Sequence, residues 1–248
     1  MYSIICLFIR INKTIKLPIN PLREEGGIIF IHGLNSDMNG AKALTVERYA
    51  RKNNLNFIRF DCRGHGRSEG KFEEFTISDW KKDLLDIIDN IAKGPQILIG
   101  SSMGGWLMML AAKARPQRIK GMIGLAAAPD FGKDLYNNLN KKNKREITSK
   151  GITKYTSYGF SYYLTKKFFI EAEKNRILKK SLYFTKQLVL IHGLKDNVVK
   201  EDVPRKILKK ITGKNVNIIY LKESDHRLSS DTDSKVIINS ISYIKSII

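Results

Sequence analysis

Two adjacent serines, Ser101 and Ser102, stand between two apolar runs in GPQILIGSSMGGWLMML, residues 94–110. A serine hydroxyl becomes a nucleophile when a base takes its proton and a third group orients that base. Gly100-Ser101-Ser102-Met103-Gly104 fits G-x-S-x-G only with Ser102 at its centre. The pattern has a steric reason. A serine at the crest of a strand-to-helix turn adopts strained backbone, and the residues two before and two after it crowd together. Ser101 fails there, because its neighbours at those positions are Ile99 and Met103. A phosphate cradle would need a following Lys-Ser/Thr, which this stretch lacks. Ser102 is the candidate nucleophile.

Behind a G-x-S-x-G turn, the acid and then the histidine follow the serine along the chain. Only His192 and His226 follow Ser102. His226 lies in KESDHR, after the last strand-like run, and is the favoured base. His192 directly follows the run 188–191 and reads as packed at a strand end. For the acid, Asp196 in IHGLKDNVV is preferred and Asp130 is the serious rival. Asp225 is set aside, since neighbours in a loop seldom face each other as a pair. Donors to a developing oxyanion are expected from the N–H of Met103, in a first helical turn, and of Leu34, after His32-Gly33. His32 and His65 read as loop-shaping residues, and Cys62 as a packed strand-end residue.

Such residues must be positioned by something. Apolar runs at 28–31, 56–60, 96–100, 120–125, 188–191 and 216–221 read as strands. Between them lie helical patterns at about 40–52, 79–92, 103–114 and 202–211, and a last amphipathic helix carries Val236, Ile237, Ile241, Ile244 and Ile248. Thr76-Ile-Ser-Asp supplies capping residues before the second helix. The alternation implies an α/β fold: a mostly parallel, doubly wound sheet with helices on both faces and its site at the carboxyl ends of the strands. The alternation breaks over about 130–180, a lysine-rich, aromatic stretch expected to be a cap inserted into a single domain spanning 1–248.

Composition narrows the classes. The chain has 248 residues and a formal charge of +20, which attracts anions without choosing among them. No RNP, KH or zinc-finger pattern is present, so no nucleic-acid partner is expected. Two cysteines outside any CxxC spacing fit a reducing compartment, and four scattered histidines suggest no metal. No apolar run reaches the roughly 20 residues of a transmembrane helix. The start, MYSIICLFIR, reads as a first strand rather than a signal peptide. A cytoplasmic protein is expected, as a monomer or small homo-oligomer.

FIHGLNSDMNG, FIRFDCRGHGRSEG, GSSMGGW, LIHGLKDNVV and SDHR together resemble the α/β-hydrolase superfamily. The stretch from HGLNSDMNGAKA to GPQILIGSSMGGWLMMLAAKARP is most similar to a branch that includes a mitochondrial palmitoyl-protein thioesterase and acyl-glucuronide esterase. The resemblance implies Ser102, Asp196 and His226 as triad, Leu34 and Met103 as oxyanion donors, and no cofactor. It implies hydrolysis of carboxylic esters or thioesters, on small molecules, acyl chains or acylated proteins. Tyr155, Phe160, Tyr162 and Tyr163, with Tyr158, Phe168 and Phe169, are candidates for an acyl slot in the cap. An acyltransferase using the same triad, or a non-catalytic module on the same fold, are the alternatives.

Overall fold

A computed structural model describes residues 6–10, 25–157 and 160–248. Seven strands form one sheet in the order β1-β3-β2-β4-β5-β8-β9. They are β1 (Cys6–Arg10), β2 (Gly27–Ile31), β3 (Asn56–Asp61), β4 (Gln96–Ser101), β5 (Ile119–Leu125), β8 (Gln187–Gly193) and β9 (Val216–Leu221). Every neighbouring pair is parallel. β2, β3, β4 and β8 are buried along their whole length, which is why they read as continuous apolar runs rather than alternating ones. The register sets Ile31 beside Gly100, Ser101 beside Leu125, Leu125 beside Ile191, and Gly193 beside Leu221. The carboxyl ends of these strands therefore share one edge.

Helices cover both faces. α1 (Ala41–Lys52) and α8 (Asp231–Ser246) join a core with Ile28, Phe30, Ile97, Ile123 and Val189. α2 (Ile77–Asn90) and α3 (Met103–Ala114) join the other, with Ile29, Ile31, Ile58, Leu98 and Met122. In α2 the buried Trp80, Leu84, Ile87 and Ile88 recur at helical spacing. The N–H and hydroxyl of Thr76 both donate to Asp79, at 2.9 and 2.7 Å, and fix the helix start. α7 (Val203–Leu208) is shorter than its sequence pattern.

Between β5 and β8 the chain builds α4 (Phe131–Asn138), α5 (Lys141–Lys150), an antiparallel pair β6 (Ile152–Ser157) and β7 (Phe160–Thr165), and α6 (Lys166–Lys174). This segment joins the α2–α3 side. Phe168 packs on Trp80 and Phe131, Phe131 on Trp106, and Tyr162 on Phe72.

Candidate active site

β4 ends at Ser101 and α3 begins at Met103, so Ser102 is the whole turn. Its backbone has φ 51 and ψ −114, which an L-residue adopts only under strain. Three hydrogen bonds hold it there: its N–H donates to Leu125 O at 2.9 Å, and its carbonyl accepts from Gly105 and Ala128 at 2.9 and 3.0 Å. The glycines follow from this turn. A Cβ on Gly100 would lie 2.4 Å from Gly104 O, and one on Gly104 would lie 2.2 Å from Ile31 O. Any larger residue at either position would force the turn open. The strand-end loop after β2 passes close by, because a Cβ on Gly33 would lie 3.3 Å from Ser102 Cβ. Leu34, next in that loop, packs half-buried against the core, and Met103 opens α3 in full burial.

Asp196 lies on the loop after β8, and its side chain is inaccessible to solvent. Its Oδ1 accepts from the N–H of Val198 and Val199, both at 2.8 Å. Its Oδ2 accepts from His226 Nδ1 at 2.8 Å. Burial alone would raise the Asp196 pKa. The bonds from His226 and the two N–H groups outweigh burial and hold it below the usual carboxylate range. The two loops are laced together as well. Leu194 N–H donates to Leu221 O at 2.9 Å, and Lys195 N–H to Ser224 O at 3.0 Å. A Cβ at Gly193 would sit 2.2 Å from Ser224 O, so a side chain there would push the histidine loop off the aspartate loop.

The rival acids are engaged elsewhere. Asp130 accepts from the N–H of Ile177 at 2.7 Å and of Leu178 at 3.0 Å, and so fastens the end of the segment 130–180 to its start. Asp225 accepts from Arg227 N–H at 2.9 Å within its own turn. His192 is fully buried, and its Nε2–H donates to Val199 O at 3.1 Å, bracing the loop that carries Asp196.

His32 joins two loops. Its Nε2 accepts from Cys62 N–H at 3.0 Å, so the proton is on Nδ1, which donates to Gly33 O at 2.8 Å. Burial lowers its pKa and keeps it neutral. His65 is buried against His32, Phe72 and Trp80, and burial drives its pKa down to about 3. Cys62 is fully buried, and burial pushes its thiol up, so it is inert.

Three loop organisers are not evident from the motifs. Asp61 accepts from Met38 N–H at 2.7 Å and Arg67 N–H at 2.9 Å, joining the loops after β2 and β3. Arg59 is buried, pairs with Glu47 at 3.0 Å and donates to Met38 O at 2.7 Å. A charge inside the apolar strand NFIRFD is the signal that could have found it. Lys42 donates to Arg227 O at 2.6 Å, tying α1 to the residue after His226. Burial, partly offset by Asp225, Asp196 and Asp233, lowers its pKa to about 8.

The aromatic candidates divide. Tyr155 and Tyr162 are cross-strand partners on the inner face of β6–β7, with Tyr162 also on Phe72. Phe168 is buried, and Phe169 stands against Tyr136. Tyr163 faces the other way and is exposed, because successive strand residues alternate sides. Phe160 begins β7, and Tyr158 lies outside the described residues.

A family profile described as Hydrolase_4, serine aminopeptidase, S33, matches residues 23–159. That span includes Ser102 and stops short of Asp196 and His226. The bovine protein named palmitoyl-protein thioesterase ABHD10, mitochondrial, is 39% identical over 222 residues, covering 88% of this chain and 72% of its own length. The solved structure of mouse alpha/beta hydrolase domain-containing protein 10 matches at TM-score 0.82 and 38% identity, covering 89% of both chains. A hydrolase structure from Agrobacterium vitis matches at TM-score 0.84 and 29% identity, covering 90% of both. These relatives correct the expected cytoplasmic location, since the bovine, orangutan and human proteins are all named mitochondrial. Unpaired cysteines fit any reducing compartment, so cysteine usage could not separate one such address from another.

Proposed function

We propose, from the premise that this chain belongs to the serine aminopeptidase S33 family of α/β-hydrolases, that it cleaves esters or thioesters through an acyl-enzyme on Ser102. The observation that carries the triad reading is the hydrogen bond from His226 Nδ1–H to buried Asp196, on the same sheet edge as the strained Ser102. Asp196 fixes the imidazole tautomer, which makes Nε2 the basic nitrogen. His226 then takes the Ser102 proton as Oγ attacks the acyl carbonyl. The N–H groups of Leu34 and Met103 stabilise the oxyanion. Collapse expels the alcohol or thiol, which receives that proton. Water, deprotonated by His226, releases the acid and restores Ser102.

Long-chain acyl thioesters on proteins are the proposed substrates. The name of the 39% identical relative supports this choice. So does the aromatic inner face of the segment 130–180, which we read as a cap that lays the acyl chain against the contiguous rings of Tyr155, Tyr162 and Phe72. A panel crossing acyl length with ester against thioester tests the proposal, run on wild type and Ser102→Ala. It predicts the highest kcat/KM on long-chain thioesters and none with the variant. Equal turnover of short acetyl esters would overturn the substrate assignment.

A further inference from the structure

The outer side of the segment 130–180 carries a second feature. α4, α5 and α6 enclose an open groove of about 490 Å³. Its floor is apolar, formed by Tyr136, Ile147, Phe169 and Ile170. Ile170 is 46% exposed, although α6 has a buried face available in Phe168 and Ala172. Lys133, Lys166 and Lys174 stand around the rim. Lys174 pairs with Glu171, whereas Lys133 and Lys166 make no ion pair among the described residues. The one acid on the rim, Glu173, is neutralised by Arg176 and Lys179. Residues 130–180 hold thirteen lysines and arginines against five aspartates and glutamates.

An exposed apolar floor inside a cationic rim costs solvation unless something covers it. An acidic peptide without apolar side chains would use the lysines and leave the floor wet. Lipid with anionic headgroups satisfies both, with acyl carbon against Ile170 and Phe169 and headgroup anions against the lysines. α5 also carries Lys141, Lys142 and Lys144, and α6 carries Lys167, so basic residues on these helices are not confined to the groove. We propose that the outer face of α4, α5 and α6 docks on an anionic lipid bilayer. No described helix is long and apolar enough to cross a membrane, so this contact is peripheral. It does not depend on the hydrolase reading, and binding is to be measured in the Ser102→Ala background as well as in wild type.

The test is co-sedimentation of the full chain with vesicles of phosphatidylcholine, with and without about one third phosphatidylglycerol. Binding is expected only to the anionic vesicles and should be lost at high salt. Lys133→Glu with Lys166→Glu should lower partitioning by about tenfold or more, and Ile170→Asp by a similar factor. The control is Lys52→Glu with Lys235→Glu, on α1 and α8 across the sheet. It changes net charge equally and should shift partitioning by less than about twofold. Near-UV spectra and melting temperatures confirm that each variant folds. An equal loss in the control pair would reduce the effect to the diffuse charge of the chain and overturn the proposal. So would full binding by Ile170→Asp, or no binding by wild type.

Discussion

The strand-end edge and the segment 130–180 are held by different means. At the edge, side chains are placed by backbone contacts that tolerate no added atom: Gly104 against Ile31 O, Gly193 against Ser224 O, and Asp196 on two N–H groups. In the segment, packing is largely aromatic, with ring centroids 5.2 to 6.3 Å apart and one carboxylate, Asp130, fastening the end to the beginning. The proposed chemistry needs fixed geometry to well under an ångström, whereas the proposed acyl slot needs only shape and dryness. The difference predicts that edge variants fail in kcat and segment variants fail in KM or stability.

The largest effect is expected at the proposed nucleophile. Ser102→Ala should remove turnover by about 10⁶-fold in kcat while leaving the melting temperature near wild type. Stopped assays beside thermal melts would read both, and retained activity would break the contrast at once.

Next are two aspartates, one from each region. Asp196→Asn should lower kcat by about 10⁴-fold, because the amide no longer enforces the imidazole tautomer. Asp130→Asn should leave kcat within a few-fold and lower stability by about 1–3 kcal/mol, through the bonds to Ile177 and Leu178. A reversal of these two outcomes would move the acid to Asp130.

A smaller effect probes the loops of the strand-end edge by pH. His65 titrates near 6.5 in the unfolded chain but at about 3 when folded, because it is buried among His32, Phe72 and Trp80. Between those values the unfolded state binds more protons, so stability falls as pH falls from 6.5 towards 3. By pH 5 the loss is about 2 kcal/mol from this group. In His65→Phe the fall between pH 7 and pH 5, read by urea unfolding, should shrink by that amount. An unchanged slope would contradict a neutral, buried His65. The smallest effect is expected at Tyr163→Ala, within about twofold of wild type on soluble substrates, against about tenfold in KM for Tyr162→Ala on long acyl chains. Equal effects would mean that the facing of β7 does not govern the slot.

The same contrast explains what the sequence reveals. Buried parallel strands must be apolar on both sides, so 28–31, 96–100 and 188–191 stand out, and the turn at Ser102 shows because only glycine fits beside it. That His226 and Asp196 meet at the sheet edge follows from chain order together with strand ends. The hairpin β6–β7 is hidden, because the aromatic Tyr163 on its outer face masks the alternation of Thr153, Tyr155, Tyr162 and Leu164 on its inner one. Counting aromatics there cannot say which way each ring faces, and Tyr163 is the result. Asp61, Arg59 and Lys42 act through backbone groups far away in the chain, and no period or spacing encodes such bonds.

The most direct measurement is covalent trapping. A fluorophosphonate offered to the folded protein should modify one residue, and peptide mass spectrometry should place the adduct on Ser102. The Asp196→Asn protein should label far more slowly. An adduct on Ser101, or none on folded protein under conditions that label a control serine hydrolase, would contradict the claim that His226 and Asp196 activate the hydroxyl at 102.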